Sequence, residues 1–182
     1  MEICIIYGLS NFSEWGDAPA LGTGDPDSRE EREEAMSNTK ILAFVCNWCS
    51  YGGADNAGGM RLEYPAGVRL VRVMCSGRVE PQMVLEAFRG GADGVMVLGC
   101  HPGDCHYKEG NLNAQKRMLL LHAMLDQYGI DRRRFRLDWV SASEGQRFVE
   151  VVTEMHDRVQ GLGPLALPER DARLRPAKEV AV

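Results

Sequence analysis

The sequence predicts an α/β fold, a four-stranded parallel sheet with helices on both faces. Three observations carry this expectation. Four short apolar runs, the first nearly continuous and the second alternating through Leu70, Val71 and Val73, punctuate residues 39–160. The first, Lys40 to Val45, fits a strand buried on both faces. Helix-length stretches separate the runs, and strands that alternate with helices build parallel sheets with right-handed crossovers.

The elements follow in order. Lys40 to Val45 is the first strand, Arg69 to Met74 the second, Gly94 to Leu98 the third and Phe135 to Val140 the fourth. Ala54 to Tyr64 is a helix weakened by Gly58 and Gly59. Pro81 to Arg89 is a second helix, with proline suited to the first turn and Gly90-Gly91 marking its end. Asn113 to Tyr128, rich in Leu, Met and Ala, is the third and stops at Gly129. Ser143 to Val159 is the fourth. Ser141 and Glu144 stand at capping-box spacing, and Phe148, Val151, Val152, Met155 and Val159 recur at helical intervals. A flavodoxin-like strand order, 2-1-3-4, is the expected topology. In such sheets the functional crevice lies beyond the carboxyl ends of the strands, where the strand order reverses.

The charge is unevenly placed. Residues 1–40 hold nine acidic and three basic side chains, whereas the remainder holds seventeen and eighteen. Residues 1–38 therefore read as an acidic N-terminal extension, turn-rich and without an evident strand partner. Met36 is a candidate translation start, and removal of the residues before it is expected to leave the core intact. Residues 39–160 read as the working domain, and 161–182, with Gly161, Gly163, Pro164, Pro168 and Pro176, as a C-terminal tail. No apolar run reaches the roughly 20 residues of a membrane span. No basic segment followed by an apolar one opens the chain, so the reading is a cytoplasmic protein without a secretory signal. A net charge of −5 argues against nucleic acid as the main partner.

Five of the six cysteines fall just past the carboxyl ends of three strands. Cys46 and Cys49 follow the first, Cys75 the second, and Cys100 and Cys105 the third; Cys4, alone in the extension, reads as inert. The strand order makes those three strands neighbours, so their loops converge. Thiolate sulfur is a soft ligand suited to iron–sulfur clusters, zinc and copper(I). Four thiolates hold a 2Fe-2S or a 4Fe-4S cluster, and a C-x4-C spacing also occurs in plant-type ferredoxins. Gly77, Gly99 and Gly103 let the backbone pass close to such a group, and Arg78 is placed to offset its negative charge.

Five thiols exceed four ligands, so one is spare. The C-x4-C pair, Cys100 and Cys105, is expected to be the firmest, with the spare among Cys46, Cys49 and Cys75. Two alternatives stay open here. One is a zinc-stabilised interaction module with four thiolates on one ion. The other is a thiol–disulfide redox pair at Cys46 and Cys49. His101 and His106 are minor ligand candidates, and His122 and His156 read as helix histidines. Trp48 and Tyr51 are placed to shield the site, and Arg132-Arg133-Arg134 reads as a solvated turn. No G-x-G-x-x-G follows a strand, and Cys-Asn-Trp-Cys takes the place of a Ser/Thr phosphate loop after the first. No flavin is therefore expected in this chain.

Three motifs carry a family resemblance. Phe44-Val45-Cys46-Asn47-Trp48-Cys49-Ser50-Tyr51 with Ala54-Asp55 resembles the opening of the delta subunit of methyl-viologen-reducing hydrogenase. Val73-Met74-Cys75-Ser76-Gly77-Arg78-Val79 and Gly99-Cys100-His101-Pro102-Gly103-Asp104-Cys105-His106-Tyr107 are similar to its second and third motifs, and Gly110-Asn111 and Arg117-Met118 also fit. The resemblance spans about residues 40–160. It implies a small component of an oxidoreductase complex, with one 2Fe-2S cluster and no substrate site of its own. Such a component transfers electrons between a hydrogenase or formate dehydrogenase-type module and a heterodisulfide-reductase-like flavoprotein.

Overall fold

The computed structural model describes residues 39–167. The acidic extension with Cys4, and the tail beyond Leu167, lie outside the described residues. Strands β1 (Ile41–Cys46), β2 (Val68–Val73), β3 (Gly94–Gly99) and β4 (Phe135–Trp139) form one sheet in the order β2-β1-β3-β4, every pair parallel. The predicted class and strand order are both present. Helices α1 (Ser50–Gly59), α2 (Pro81–Arg89), α3 (Gly110–Gln127) and α4 (Gly145–Leu162) cover the two faces.

The central strands β1 and β3 are buried at every residue, and the edge strands β2 and β4 are not. This is why the central runs lack polar alternation. Side chains divide by parity. Leu42, Phe44, Val71, Val73, Val95 and Val97 join Val84 and Phe88 of α2 and Met118, Leu121 and Leu125 of α3. Ile41, Ala43, Val45, Met96 and Leu98 join Ala57 of α1 and Phe148, Val152 and Met155 of α4.

Helix α1 begins and ends earlier than its composition predicts. Its start is set by close packing. A Cβ at Gly52 would stand 2.9 Å from the Ala142 Cβ, and one at Gly53 2.8 Å from the Ser141 oxygen. Gly52 and Gly53 let the helix lie against the chain entering α4, whereas Gly58 and Gly59 have open space around them. Its end is a Schellman closure. The Leu62 N–H donates to the Ala57 oxygen at 2.9 Å and the Arg61 N–H to the Gly58 oxygen at 3.0 Å, with Arg61 left-handed at φ 57°. Glycine usually fills that position, so the sequence carries no stop signal there. Helices α2 and α3 close the same way on Gly91 (φ 97°) and Gly129 (φ 69°), where glycine marks both ends.

Glu144 makes the returning half of the expected capping box, its carboxylate accepting the Ser141 N–H at 2.7 Å. The α4 helix itself opens one residue later and continues to Leu162. Beyond it the Leu165 N–H donates to Asp93 Oδ1 at 2.8 Å, while Asp93 Oδ2 accepts the Lys40 N–H at 3.0 Å. Arg134 departs from the solvated turn predicted for the arginine run. It is 6 % exposed and donates to the backbone oxygens of Asp93 and Leu162, both at 3.1 Å. Arg132 and Arg133 are exposed and pair with Asp126 and Asp131. No helix among the described residues is long and apolar enough to cross a membrane.

Candidate functional site

The parallel sheet sends every strand's carboxyl end to one rim, and the five described cysteines gather there. Cys46 closes β1, Cys49 precedes α1, and Cys75 follows β2 just before a 3-10 turn at Ser76–Arg78. Cys100 follows β3, and Cys105 lies in the loop that leads to α3. All five are free thiols, with Cys46, Cys100 and Cys105 buried and Cys49 and Cys75 half-buried. Together they form a cluster separate from the two apolar cores.

The Cys46 and Cys100 sulfurs stand 3.6 Å apart. Cys49 also sits against Cys100. Cys75 and Cys105 form a second pair, with both sulfurs against the bare Cα of Gly110. These sulfur contacts run between loops, while Cys100 and Cys105, the pair expected to hold iron most firmly, lie in the same cluster. The cause is the turn between them. Gly103 is left-handed at φ 95° and the Asp104 N–H donates to the His101 oxygen at 3.0 Å, which folds the loop and presents its thiols to different neighbours. Among the described residues, no three Cys, His, Asp or Glu side chains gather as a site for a single ion.

Electrostatics distinguish the thiols. Cys46 is pulled down to about 6, first by the hydrogen bond it shares with Cys100; burial opposes this, and the N–H groups of Trp48, Cys49 and Ser76 add to it. Cys100 is pushed far up, first by that same bond and then by burial. Burial also raises Cys49 and Cys75. A cation bound here would displace those protons, because thiolate is the ligating form.

The candidate glycines have separate tasks. A Cβ at Gly77 would lie 2.6 Å from the Gly110 oxygen, so two glycines in contact bring the Cys75 loop against the start of α3. A Cβ at Gly99 would meet Ser76 Oγ at 2.7 Å and the Trp139 ring at 2.8 Å. Gly103 has open space around it and serves the turn. Arg78 shares a shallow hollow with Cys75, Tyr107 and Gly110. Arg117 donates to the Gly77 oxygen and pairs with Glu80 at 3.3 Å, so a second arginine lies at the Cys75 loop.

Of the two aromatic residues expected to shield the site, Trp48 lies at the rim against His106 and Tyr107. Trp48 stacks on His106 at 3.8 Å between centroids, and Trp48 Nε1 donates to the Tyr107 hydroxyl at 3.4 Å. These contacts tie the Cys46–Cys49 loop to the one carrying Cys105. Tyr51 lies apart, under the Arg72 guanidinium at 4.9 Å. His101 pairs with Glu144 at 2.7 Å. His122 packs edge-on to Phe135, and His156 is 1 % exposed, beside Asp157 at 3.3 Å.

Two roles had no sequence signal beyond the motifs themselves. Asn111 is fully buried, and its Nδ2 donates to the backbone oxygens of Cys100 and His101 at 3.0 and 2.8 Å. The hydroxyls of Ser50 and Ser76, each next in sequence to a cysteine, are buried without a hydrogen-bond partner among the described residues. Buried polar groups are paired in the great majority of cases, so the Ser76 hydroxyl, which stands beside Gly99 next to Cys100, is available to donate to a group bound there. Soft thiols, backbone N–H groups aimed at Cys46 and unpaired hydroxyls together suit a negatively charged, sulfur-rich group.

Comparison with known proteins agrees with this chemistry. The chain is 50 % identical over 135 residues to the iron-sulfur subunit of an F420-non-reducing hydrogenase from Methanococcus voltae, covering 74 % of this chain and 94 % of that protein. It is 55 % identical over 124 residues to the corresponding protein of Archaeoglobus profundus, covering 68 % and 90 %. A further relative, one of the subunits of the ferredoxin:CoB-CoM heterodisulfide reductase of Methanosarcina mazei, is 47 % identical over 125 residues, 69 % of this chain and 16 % of that much longer protein. These relatives are subunits of oxidoreductase complexes. The family model for the delta subunit of methyl-viologen-reducing hydrogenase matches residues 41–163, across all three cysteine loops, and the chain belongs to that family.

Proposed function

We propose that this chain is an electron-transfer subunit that holds one 2Fe-2S cluster on four of Cys46, Cys49, Cys75, Cys100 and Cys105. It works between a hydrogenase or formate dehydrogenase-type module and a heterodisulfide-reductase-like flavoprotein. The observation that carries the reading is the arrangement of thiols in two pairs between loops, Cys46 with Cys100 and Cys75 with Cys105. Two metal ions with two thiolates each need such a split, whereas a structural zinc needs four thiolates around one ion.

When bound, the cluster would supply a one-electron change at iron. The chain's own residues do the rest. Cys46, Cys75, Cys100 and Cys105 are the ligands, leaving the half-buried Cys49 as the spare thiol. The Trp48, Cys49 and Ser76 N–H groups stabilise negative charge on the Cys46 sulfur. Arg78 and Arg117 add positive charge at the Cys75 loop. Trp48, His106 and Tyr107 limit water at the rim. The Methanosarcina relative supports the heterodisulfide-reductase partner, since a similar segment there is part of the reductase chain itself. A cytoplasmic location and the lack of flavin or nucleic-acid binding belong to the same reading.

Metal and sulfide analysis of anaerobically purified protein tests it. Two irons and two sulfides per chain, with a rhombic S = 1/2 resonance on reduction, are expected. A colourless protein with stoichiometric zinc would refute it and support the interaction-module alternative.

A further inference from the structure

Ser76 is 1 % exposed, and its hydroxyl has no hydrogen-bond partner among the described residues. An unpaired buried hydroxyl works against folding, because the group gives up water and gains nothing in return. Its position is tightly specified. Ser76 follows Cys75 in the chain, and its backbone N–H is directed to the Cys46 sulfur. Its Oγ lies 2.7 Å from where a Gly99 Cβ would stand, and Gly99 is the residue before Cys100. The register that sets Val45 beside Leu98 brings Cys46 level with Gly99 on the same face of the sheet. Ser76 thus follows one cysteine, directs its N–H to the sulfur of a second and packs its hydroxyl beside the residue before a third, where the missing side chain at Gly99 makes room for it.

We propose that the Ser76 hydroxyl donates a hydrogen bond to a cluster sulfur, either a ligand thiolate or a bridging sulfide, and raises the reduction potential. The inference rests on the 2Fe-2S reading above. Reduction adds negative charge to the sulfurs, and a donor stabilises the more negative state more strongly. A serine that only filled space would leave the potential unmoved when replaced by alanine, which has nearly the same volume. Ser76 is a positioning and tuning residue, distinct from the thiols that ligate iron.

Ser76→Ala in the full chain is the test, with iron content, redox titration and resonance Raman spectra in H2O and D2O. The variant is expected to keep two irons per chain, to titrate at a lower potential than wild type, and to lose a deuterium-sensitive shift in an iron–sulfur stretching band. A shift in a terminal mode assigns the bond to a thiolate, and one in a bridging mode to a sulfide. Equal potentials and equal isotope shifts at full iron content would overturn the proposal while leaving the cluster reading intact. Wild-type protein without iron overturns both, and metal analysis shows this before any variant is compared. If Ser76→Ala does not fold, electron–nuclear double resonance on reduced wild type decides. A coupled proton that exchanges within seconds of mixing into D2O supports the hydroxyl, since buried backbone N–H groups exchange only on opening. Absence of such a proton rules it out.

Discussion

The Cys46 and Cys100 sulfurs lie 3.6 Å apart although 54 residues separate them in the chain. The strand order explains the meeting. After β1 the chain crosses to β2 on one side, and it then returns past β1 to place β3 on the other. The crossovers diverge between β1 and β3, so a crevice opens there, and Cys46 and Cys100 stand on its two sides. The site thus follows from topology, and the remaining cysteines enter it from loops that the same rim collects.

The two-pair arrangement predicts the outcome of single Cys→Ser variants. Serine replaces a soft thiolate with a hard, poorly ionised hydroxyl. Cys46→Ser, Cys75→Ser, Cys100→Ser and Cys105→Ser are expected to lose most of their iron. Cys49→Ser keeps it near the wild-type level, because Cys46 is the buried thiol beside Cys100, and Cys75, half-buried like Cys49, is paired with Cys105. Iron per chain after anaerobic purification reads this out. Retention by Cys46→Ser and loss by Cys49→Ser would reverse the assignment of the spare.

Asn111 predicts a coupling between fold and site. Its carboxamide holds the Cys100 and His101 oxygens from inside the first turn of α3. Asn111→Leu keeps the approximate volume and leaves a buried acceptor on Cys100 and a part-buried one on His101 without that donor. The expected loss is about 2–4 kcal/mol of stability, from about 1–3 kcal/mol for the unsatisfied Cys100 oxygen and about 1 kcal/mol for the hydrogen bond to His101. Iron release to a chelator should accelerate as well, because the Cys100 backbone is freed. A variant that loses stability yet releases iron at the wild-type rate would confine Asn111 to the fold.

The strands and the cysteine rim were legible because continuous apolar runs and cysteines at their ends are one-dimensional signals. Less of α1 was legible, since the close approach of Gly52 to Ala142 and of Gly53 to Ser141, which sets its start, joins segments far apart in the chain. Arg134 was misread because its acceptors, the Asp93 and Leu162 oxygens, are backbone groups far away in sequence. The contact of the Cys46 and Cys100 sulfurs escaped for the same reason, since it joins the ends of different strands and no spacing within one loop encodes it.

Arg61 offers a test of the helix closure. It holds φ 57° where the Schellman geometry favours glycine, and it is exposed. The left-handed conformation costs a non-glycine residue about 1–2 kcal/mol. Glycine's greater freedom in the unfolded chain returns about 0.5–1 kcal/mol of that. Arg61→Gly is therefore expected to stabilise the protein by about 0.5–1 kcal/mol, visible as a higher midpoint in urea. An unchanged or lower midpoint would mean that the Arg61 side chain has a compensating contact.

The last prediction concerns acid. Asp138 is 17 % exposed on β4, with Arg136 at 2.7 Å and Arg147 at 3.2 Å, and its Oδ1 accepts the Trp139 N–H at 2.8 Å. Burial pushes its carboxyl up, but the Trp139 N–H and the two guanidinium groups outweigh it, so the folded value lies below the ordinary one. The unfolded chain then binds the proton more readily as pH falls. The contribution to stability is complete above the ordinary carboxylate value of about 3.9 and disappears as pH drops through the lower folded value. Asp138→Asn removes the charge at every pH and lacks this titration. Wild type should therefore exceed Asp138→Asn in stability by about 1–3 kcal/mol at pH 7, the range for hydrogen bonds to a charged group. The gap should close as pH falls below about 4. Comparing the two proteins isolates Asp138, because Asp126, Asp131 and Glu144, also held below their ordinary values, titrate in both. Urea midpoints at a series of pH values read the gap, and a gap that stays constant down to pH values where folding itself fails would contradict the linkage.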